Sequence, residues 1–221
     1  FEDFFRQALG GDVEPYPYQT TLARREWPDL VEIPTGLGKM ASVVVSWLYK
    51  IHCRDKETPR RLIYCLPMRV LVEQTASNAK HWVSNLINEG VFNEKNRPSI
   101  HVLMGGDLDQ NWDLSPEMPQ ILIGTQDQLL SRALNRGYAM SRFRWPVHFG
   151  LLNNDCLWVM DEVQLMGEGL ATTAQLQAFR ASFQTVLPVR SIWMSATLRK
   201  SWLDTTDFSP QVECLRTLSL S

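Results

Sequence analysis

A chain of 221 residues, 44% hydrophobic and 21% charged, can bury a substantial core, which excludes a disordered tail or a fibrous repeat. Its formal net charge of −2 and pI near 6.1 exclude a general basic field, so contact with nucleic acid has to rest on local patches and oriented backbone amides. The acidic, aromatic start Phe1-Glu2-Asp3-Phe4-Phe5 leads into no long apolar segment, so no signal peptide or membrane span is expected, and a cytoplasmic location is.

From residue 31 onward, apolar runs of strand length alternate with helix-length segments. Strands are predicted at Leu30 to Ile33, Arg61 to Leu66, Ser99 to Met104, Gln120 to Ile123, Leu157 to Met160 and Arg190 to Met194. Helices are predicted at Lys39 to His52, Val70 to Ile87, Gln126 to Leu134 and Leu170 to Leu187. In the last of these, Leu176, Phe179, Phe183 and Val186 recur at helical spacing and are expected to pack on a sheet. Such alternation implies an α/β fold, a mostly parallel sheet covered on both faces, with function in the loops that follow the strands. Residues 54–60, 89–98 and 107–119 read as surface loops, residues 1–14 as a lead-in, and 15–221 as one domain. Cys53, Cys65, Cys156 and Cys214 form no CxxC pair and are expected as buried free thiols. His52, His81, His101 and His148 show no metal-ligand spacing.

The first strand runs into Pro34-Thr35-Gly36-Leu37-Gly38-Lys39-Met40 and then a long apolar helix. Gly36 and Gly38 allow a tight turn whose N–H groups converge, the helix start contributes its positive end, and Lys39 adds a full charge. An anionic triphosphate fits that nest. Two positions depart from the general phosphate-loop pattern: Ile33 replaces its first glycine, and Met40 replaces the Ser or Thr that would meet magnesium. Farther on, Leu157-Trp158-Val159-Met160 delivers Asp161-Glu162-Val163-Gln164. There one carboxylate can hold magnesium through water and the next can polarise an attacking water. A third strand ends in Ser195-Ala196-Thr197, whose hydroxyls can bond a neighbouring loop.

In this order the three stretches resemble motifs I, II and III of the superfamily 2 (DExH/D-box) helicases. Tyr18-Gln19 looks like the glutamine that reads adenine, Leu66-Pro67-Met68-Arg69 resembles motif Ia, Gly105-Gly106 motif Ib, and Gly124-Thr125-Gln126-Asp127 motif Ic. Ser131-Arg132-Ala133-Leu134 and Arg142-Phe143-Arg144-Trp145-Pro146, with the DEVQ box, are similar to the helicase-nuclease of type I CRISPR systems, subtype I-U (I-G).

The resemblance spans residues 15–200 and implies the first RecA-like lobe of a P-loop NTPase, with ATP and Mg2+ as cofactors. It also implies single-stranded DNA, a second RecA-like lobe, an HD-type nuclease domain and an RNA-guided surveillance complex as partners. Lys39, with Thr35, Gly36, Leu37, Gly38 and Met40, would hold the phosphates, Gln19 the adenine, Asp161 the metal, and Glu162 the water. Gln164, Ser195 and Thr197 would couple the nucleotide site to the nucleic acid. Arg69, Gly105, Gly106, Thr125, Gln126, Arg142 and Arg144 would grip it, largely by phosphates. Motifs of the second lobe are absent, so the chain is expected to be inactive alone. Two rival readings are the motor of a restriction or repair helicase, and a docking module that binds nucleotide without hydrolysing it.

Overall fold

A computed structural model describes residues 1–105, 107–108 and 111–220. Helices α1 (Glu2–Leu9) and α2 (Pro17–Arg24) precede strand β1 (Leu30–Glu32) and helix α3 (Lys39–His52). Then come β2 (Arg61–Leu66), α4 (Arg69–Asn88), β3 (Ser99–Met104), β4 (Asp107–Leu108), β5 (Gln120–Thr125), α5 (Gln126–Ala133) and α6 (Trp145–Leu152). The chain closes with β6 (Cys156–Met160), α7 (Glu168–Phe183), β7 (Val189–Ser195), α8 (Ser209–Val212) and β8 (Thr217–Ser219). The strands form one sheet in the order β4-β3-β5-β2-β6-β7-β1-β8, parallel throughout except for the antiparallel β3–β4 pair.

Strand side chains alternate between two cores because successive residues point to opposite faces. Leu62, Tyr64 and Leu66 of β2, Leu157 and Val159 of β6, and Ile192 and Met194 of β7 enter the core beneath α1 to α4. Ile63, Cys65, Trp158, Met160 and Trp193 enter the other, beneath α5 to α8. All six residues of β2 are buried, the apolar run Leu62–Leu66 as expected of an inner parallel strand and Arg61 by donating to the Leu151, Pro116 and Asn154 carbonyls. β5 carries a glycine for a specific reason: a Cβ on Gly124 would lie 2.5 Å from the Leu103 carbonyl oxygen of β3.

Several expectations change. Residues 1–14 are more than a lead-in, since Phe4, Phe5 and Ala8 of α1 join the core and Asn85 Nδ2 of α4 donates to the Ala8 carbonyl at 2.9 Å. The apolar stripe of α7 does not pack as expected. Only Leu176 is buried, whereas Phe179, Phe183 and Val186 are exposed and Val186 lies beyond the helix end. The region between α5 and β6 folds into α6, and Cys53 and Cys214 are exposed while Cys65 and Cys156 are buried. Among the described residues no helix is long and apolar enough to cross a membrane.

Candidate functional site

The strand order places the motif loops. β6, β7 and β1 are neighbours, so the phosphate loop after β1, the carboxylates after β6 and Ser195 at the end of β7 emerge side by side. The register ties them directly, with Glu32 opposite Ser195 and the Ile33 amide donating to the Ser195 carbonyl at 3.2 Å. On the other half of the same edge, β3, β5 and β2 bring Gly105, Thr125 and Arg69 together in the same way.

Gly36 and Gly38 take φ values of 85° and 74°, the left-handed region in which glycine is unstrained. Gly38 is the residue before α3, and Lys39 opens the helix with its side chain buried. Lys39 Nζ stands 3.4 Å from Glu162 Oε1. Tyr18 donates its hydroxyl to the Leu37 carbonyl. Gln19 is almost fully buried, accepting from the Tyr16 amide at 2.9 Å and donating through Nε2 to the Gly38 carbonyl at 3.3 Å. Gln19 therefore braces the phosphate loop, with one Nε2 hydrogen and one Oε1 lone pair outside these two bonds.

Asp161 is buried at the strand end. Its Oδ2 accepts the Tyr64 hydroxyl at 2.7 Å and its Oδ1 the Glu162 amide at 2.8 Å. Burial pushes the Asp161 carboxyl above the usual carboxylate range; the Tyr64 bond opposes this, the Glu162 charge adds to it, and Lys39 counters it. Burial, with the Asp161 charge second, also holds the Tyr64 hydroxyl well above its ordinary value. Glu162 adopts φ 52° and ψ 45°, a left-handed conformation costing a side-chain-bearing residue about 1–3 kcal/mol, and its carboxylate is gripped from two sides. Lys39 holds Oε1, and Gln164 Nε2 donates to Oε2 at 2.5 Å. Gln164 Oε1 in turn accepts Ser195 Oγ at 2.8 Å, and Ser195 Oγ accepts the Thr197 amide at 3.0 Å. An unbroken chain of contacts thus runs from Lys39 to Thr197.

Oxygen donors suited to magnesium are fewer. Asp161 and Glu162 face the phosphate loop, but Met40 is half-buried against the apolar core, and Ser42 Oγ is buried and donates to the Lys39 carbonyl at 2.5 Å. A hard ion held through water, Asp161 and phosphate oxygens fits this set. Among the described residues no group of three or more His, Cys, Asp or Glu side chains could hold a metal ion.

The nucleic-acid candidates divide. Arg69 is exposed at the start of α4, Thr125 is buried at the end of β5, and Gln126 is half-buried with its Oε1 unpartnered among the described residues. Gly106 lies outside the described residues. Arg142 is exposed, its guanidinium 5.9 Å from the Trp145 ring. Arg144 instead turns to Asp113: its Nε and Nη2 donate to the carboxylate, which also meets His148 Nε2 at 3.2 Å. Trp145 packs back, donating Nε1 to the Gly137 carbonyl at 3.0 Å, whereas Phe143 stays exposed. Sequence reasoning missed Tyr64 and Asp113. Tyr64 has the alternation of any core residue, and Asp113 lies in a segment with no periodicity.

Residues 18–206 match the DEAD/DEAH box helicase family. The fold is similar to that of the helicase MrfA bound to DNA and AMPPNP, with 15% identity and a TM-score of 0.67 over 100% of this chain and 29% of that one. It is also similar to the Mycobacterium smegmatis helicase Lhr bound to ssDNA and AMP-PNP, with 19% identity and a TM-score of 0.64 over 99% and 27%. A third likeness is the DEAD-box helicase Mss116 bound to ssRNA and UDP-BeF, with 17% identity and a TM-score of 0.62 over 99% and 42%. This chain thus spans less than half the length of each. No curated protein matches it in direct sequence comparison. The chain belongs to the DEAD/DEAH box helicase family, and its sheet and strand-end loops form the ATP-binding RecA-like lobe of such a helicase.

Proposed function

We propose that this lobe drives a motor that moves along single-stranded DNA in CRISPR interference, delivering the strand to an HD-type nuclease after recruitment by an RNA-guided surveillance complex. The observation that carries the motor reading is the chain of contacts from Lys39 through Glu162 and Gln164 to Ser195 and Thr197. It links the group that meets phosphate to the strand-end loop beside it, so a change at the nucleotide can be passed on mechanically. The CRISPR assignment rests on the resemblance of Ser131–Leu134 and Arg142–Pro146, taken with the DEVQ box.

In this reading, Lys39 leaves Glu162 for the phosphates, which frees the Glu162 carboxylate to take a proton from the attacking water. Asp161, kept in place by Tyr64, would hold magnesium through water, and the ion would supply charge neutralisation for the phosphates. Transition-state arginines come from a second lobe. Arg69, Thr125 and Arg142 meet strand phosphates without reading bases, as a motor requires.

The test is Glu162→Gln in the protein that joins this lobe to its second lobe. Nucleotide binding should persist while turnover falls on the order of 10²-fold or more, as loss of a general base implies. Equal turnover in both proteins would remove Glu162 from the chemistry.

A further inference from the structure

We propose that Gly169, at the start of α7, is a positioning residue for strand binding: the side chain it lacks makes room for Gln126, whose amide nitrogen is thereby held outward to donate to a strand phosphate. This rests on the reading of the lobe as part of a motor on single-stranded DNA, and adds to that reading a residue outside the motif loops.

Gly169 is the second residue of α7, after Glu168. Its backbone does not call for glycine, because its φ is not positive, unlike that of Gly167 at 53°. Glycine is the poorest helix former after proline, so helix formation does not call for it either. Space does. A Cβ at this position would lie 2.4 Å from Gln126 Oε1 and 3.1 Å from its Cδ, with Leu130 Cδ1 next at 3.6 Å. The seat is fixed before any strand arrives. The Leu165 amide donates to the Glu162 carbonyl at 2.9 Å, and Met166 to Val163 and Gly169 to Met166 both at 3.1 Å, overlapping turns that hold the start of α7 against the carboxylate loop.

Gln126 opens α5 directly after Thr125, on the strand-end edge. Its Oε1 is closed to solvent with no donor, whereas its Nε2 bonds nothing among the described residues and is not closed off. The positive end of α7 favours the oxygen on the inner side, because the first turn of a helix presents amide hydrogens. That leaves the NH₂ group as the accessible end. An amide donor can grip a phosphate oxygen whatever the base, which suits a motor that ignores sequence.

The experiment measures binding of a labelled single-stranded oligonucleotide to the protein that joins this lobe to its second lobe. Gln126→Ala should weaken binding about tenfold, as loss of a hydrogen bond to a charged group implies, and Gly169→Ala about fivefold or more by displacing the amide. Gly169→Ala should fold, since the atoms its new carbon meets end a flexible side chain. Its melting temperature should not fall, and its ATP-analogue affinity should match the parent's. In the Gln126→Ala background Gly169→Ala should cost nothing further, and neither change should alter the salt slope, because an amide neutralises no phosphate. Parent-like binding by Gly169→Ala or by Gln126→Ala, additive losses in the double variant, or a changed salt slope each overturns the inference while the motor reading stands. A parent that binds no oligonucleotide overturns both.

Discussion

Met40 occupies the first turn of α3, one residue past Lys39, the proposed phosphate ligand, and its thioether packs on the apolar core. A thioether is a poor partner for a hard cation, so this position contributes packing where a hydroxyl would contribute a ligand. Met40→Thr should therefore strengthen magnesium-dependent binding of an ATP analogue, while lost apolar contact lowers stability by about 1 kcal/mol. Parallel magnesium titrations of the two proteins check this; unchanged affinity would show that residue 40 does not reach the metal. Lys39, Glu162 and Gln164 could be singled out from the sequence because each follows an apolar strand in the order that the proposed chemistry would need. Their mutual contacts could not be, because a separation of 123 residues between Lys39 and Glu162 says nothing about distance.

Elements whose surroundings agree with their local pattern fall where the sequence puts them. α3 spans Lys39–His52 as predicted because Gly38, in the left-handed region, marks where the helix starts. α7 departs because periodicity reports an apolar face without saying what covers it, and past Leu176 the helix buries Ala178 and Arg180, the latter over Trp158, while Phe179 and Phe183 face outward. β5 supplies a test in which propensity and packing oppose each other. Gly→Ala within a strand normally stabilises by roughly 0.5–1 kcal/mol. At Gly124 the added carbon would collide with the Leu103 carbonyl, so Gly124→Ala should instead destabilise by about 1–3 kcal/mol. The urea midpoint reads the sign; a stabilised variant would mean that β3 and β5 separate freely.

Across the whole molecule, His148 fastens α6 and the loop before it to the turn that holds Trp112 and Asp113. The imidazole lies 4.5 Å from the Trp112 ring, its Nε2 meets Asp113, and its Nδ1 has no partner among the described residues. Burial lowers the His148 pKa to about 4, against the opposing pull of Asp113. The fold therefore holds this group neutral, while the unfolded chain takes up a proton near pH 6.5. The unfolded state binds more protons between those values, so stability should fall as pH drops from about 6.5 towards 4, by at most about 3 kcal/mol from this residue. His148→Gln should flatten that part of the profile in denaturant melts across pH; an unchanged slope would assign it to other groups.

The sequence by itself determined the α/β class, most strand positions, the glycine turn before α3, the paired carboxylates and the hydroxyl-bearing strand end, because each is written in residues close together along the chain. The tertiary structure decided what those residues do to one another. Only strand order sets β6, β7 and β1 side by side, so that Lys39, Glu162, Gln164 and Ser195 become a continuous chain. Only burial turns Tyr64 from one more core aromatic into the hydroxyl that holds Asp161. Only packing diverts Arg144 to Asp113 and leaves Phe183 uncovered. Local pattern fixes conformation through neighbours a few residues apart, whereas pairing and burial depend on the closure of loops whose ends the sequence does not mark.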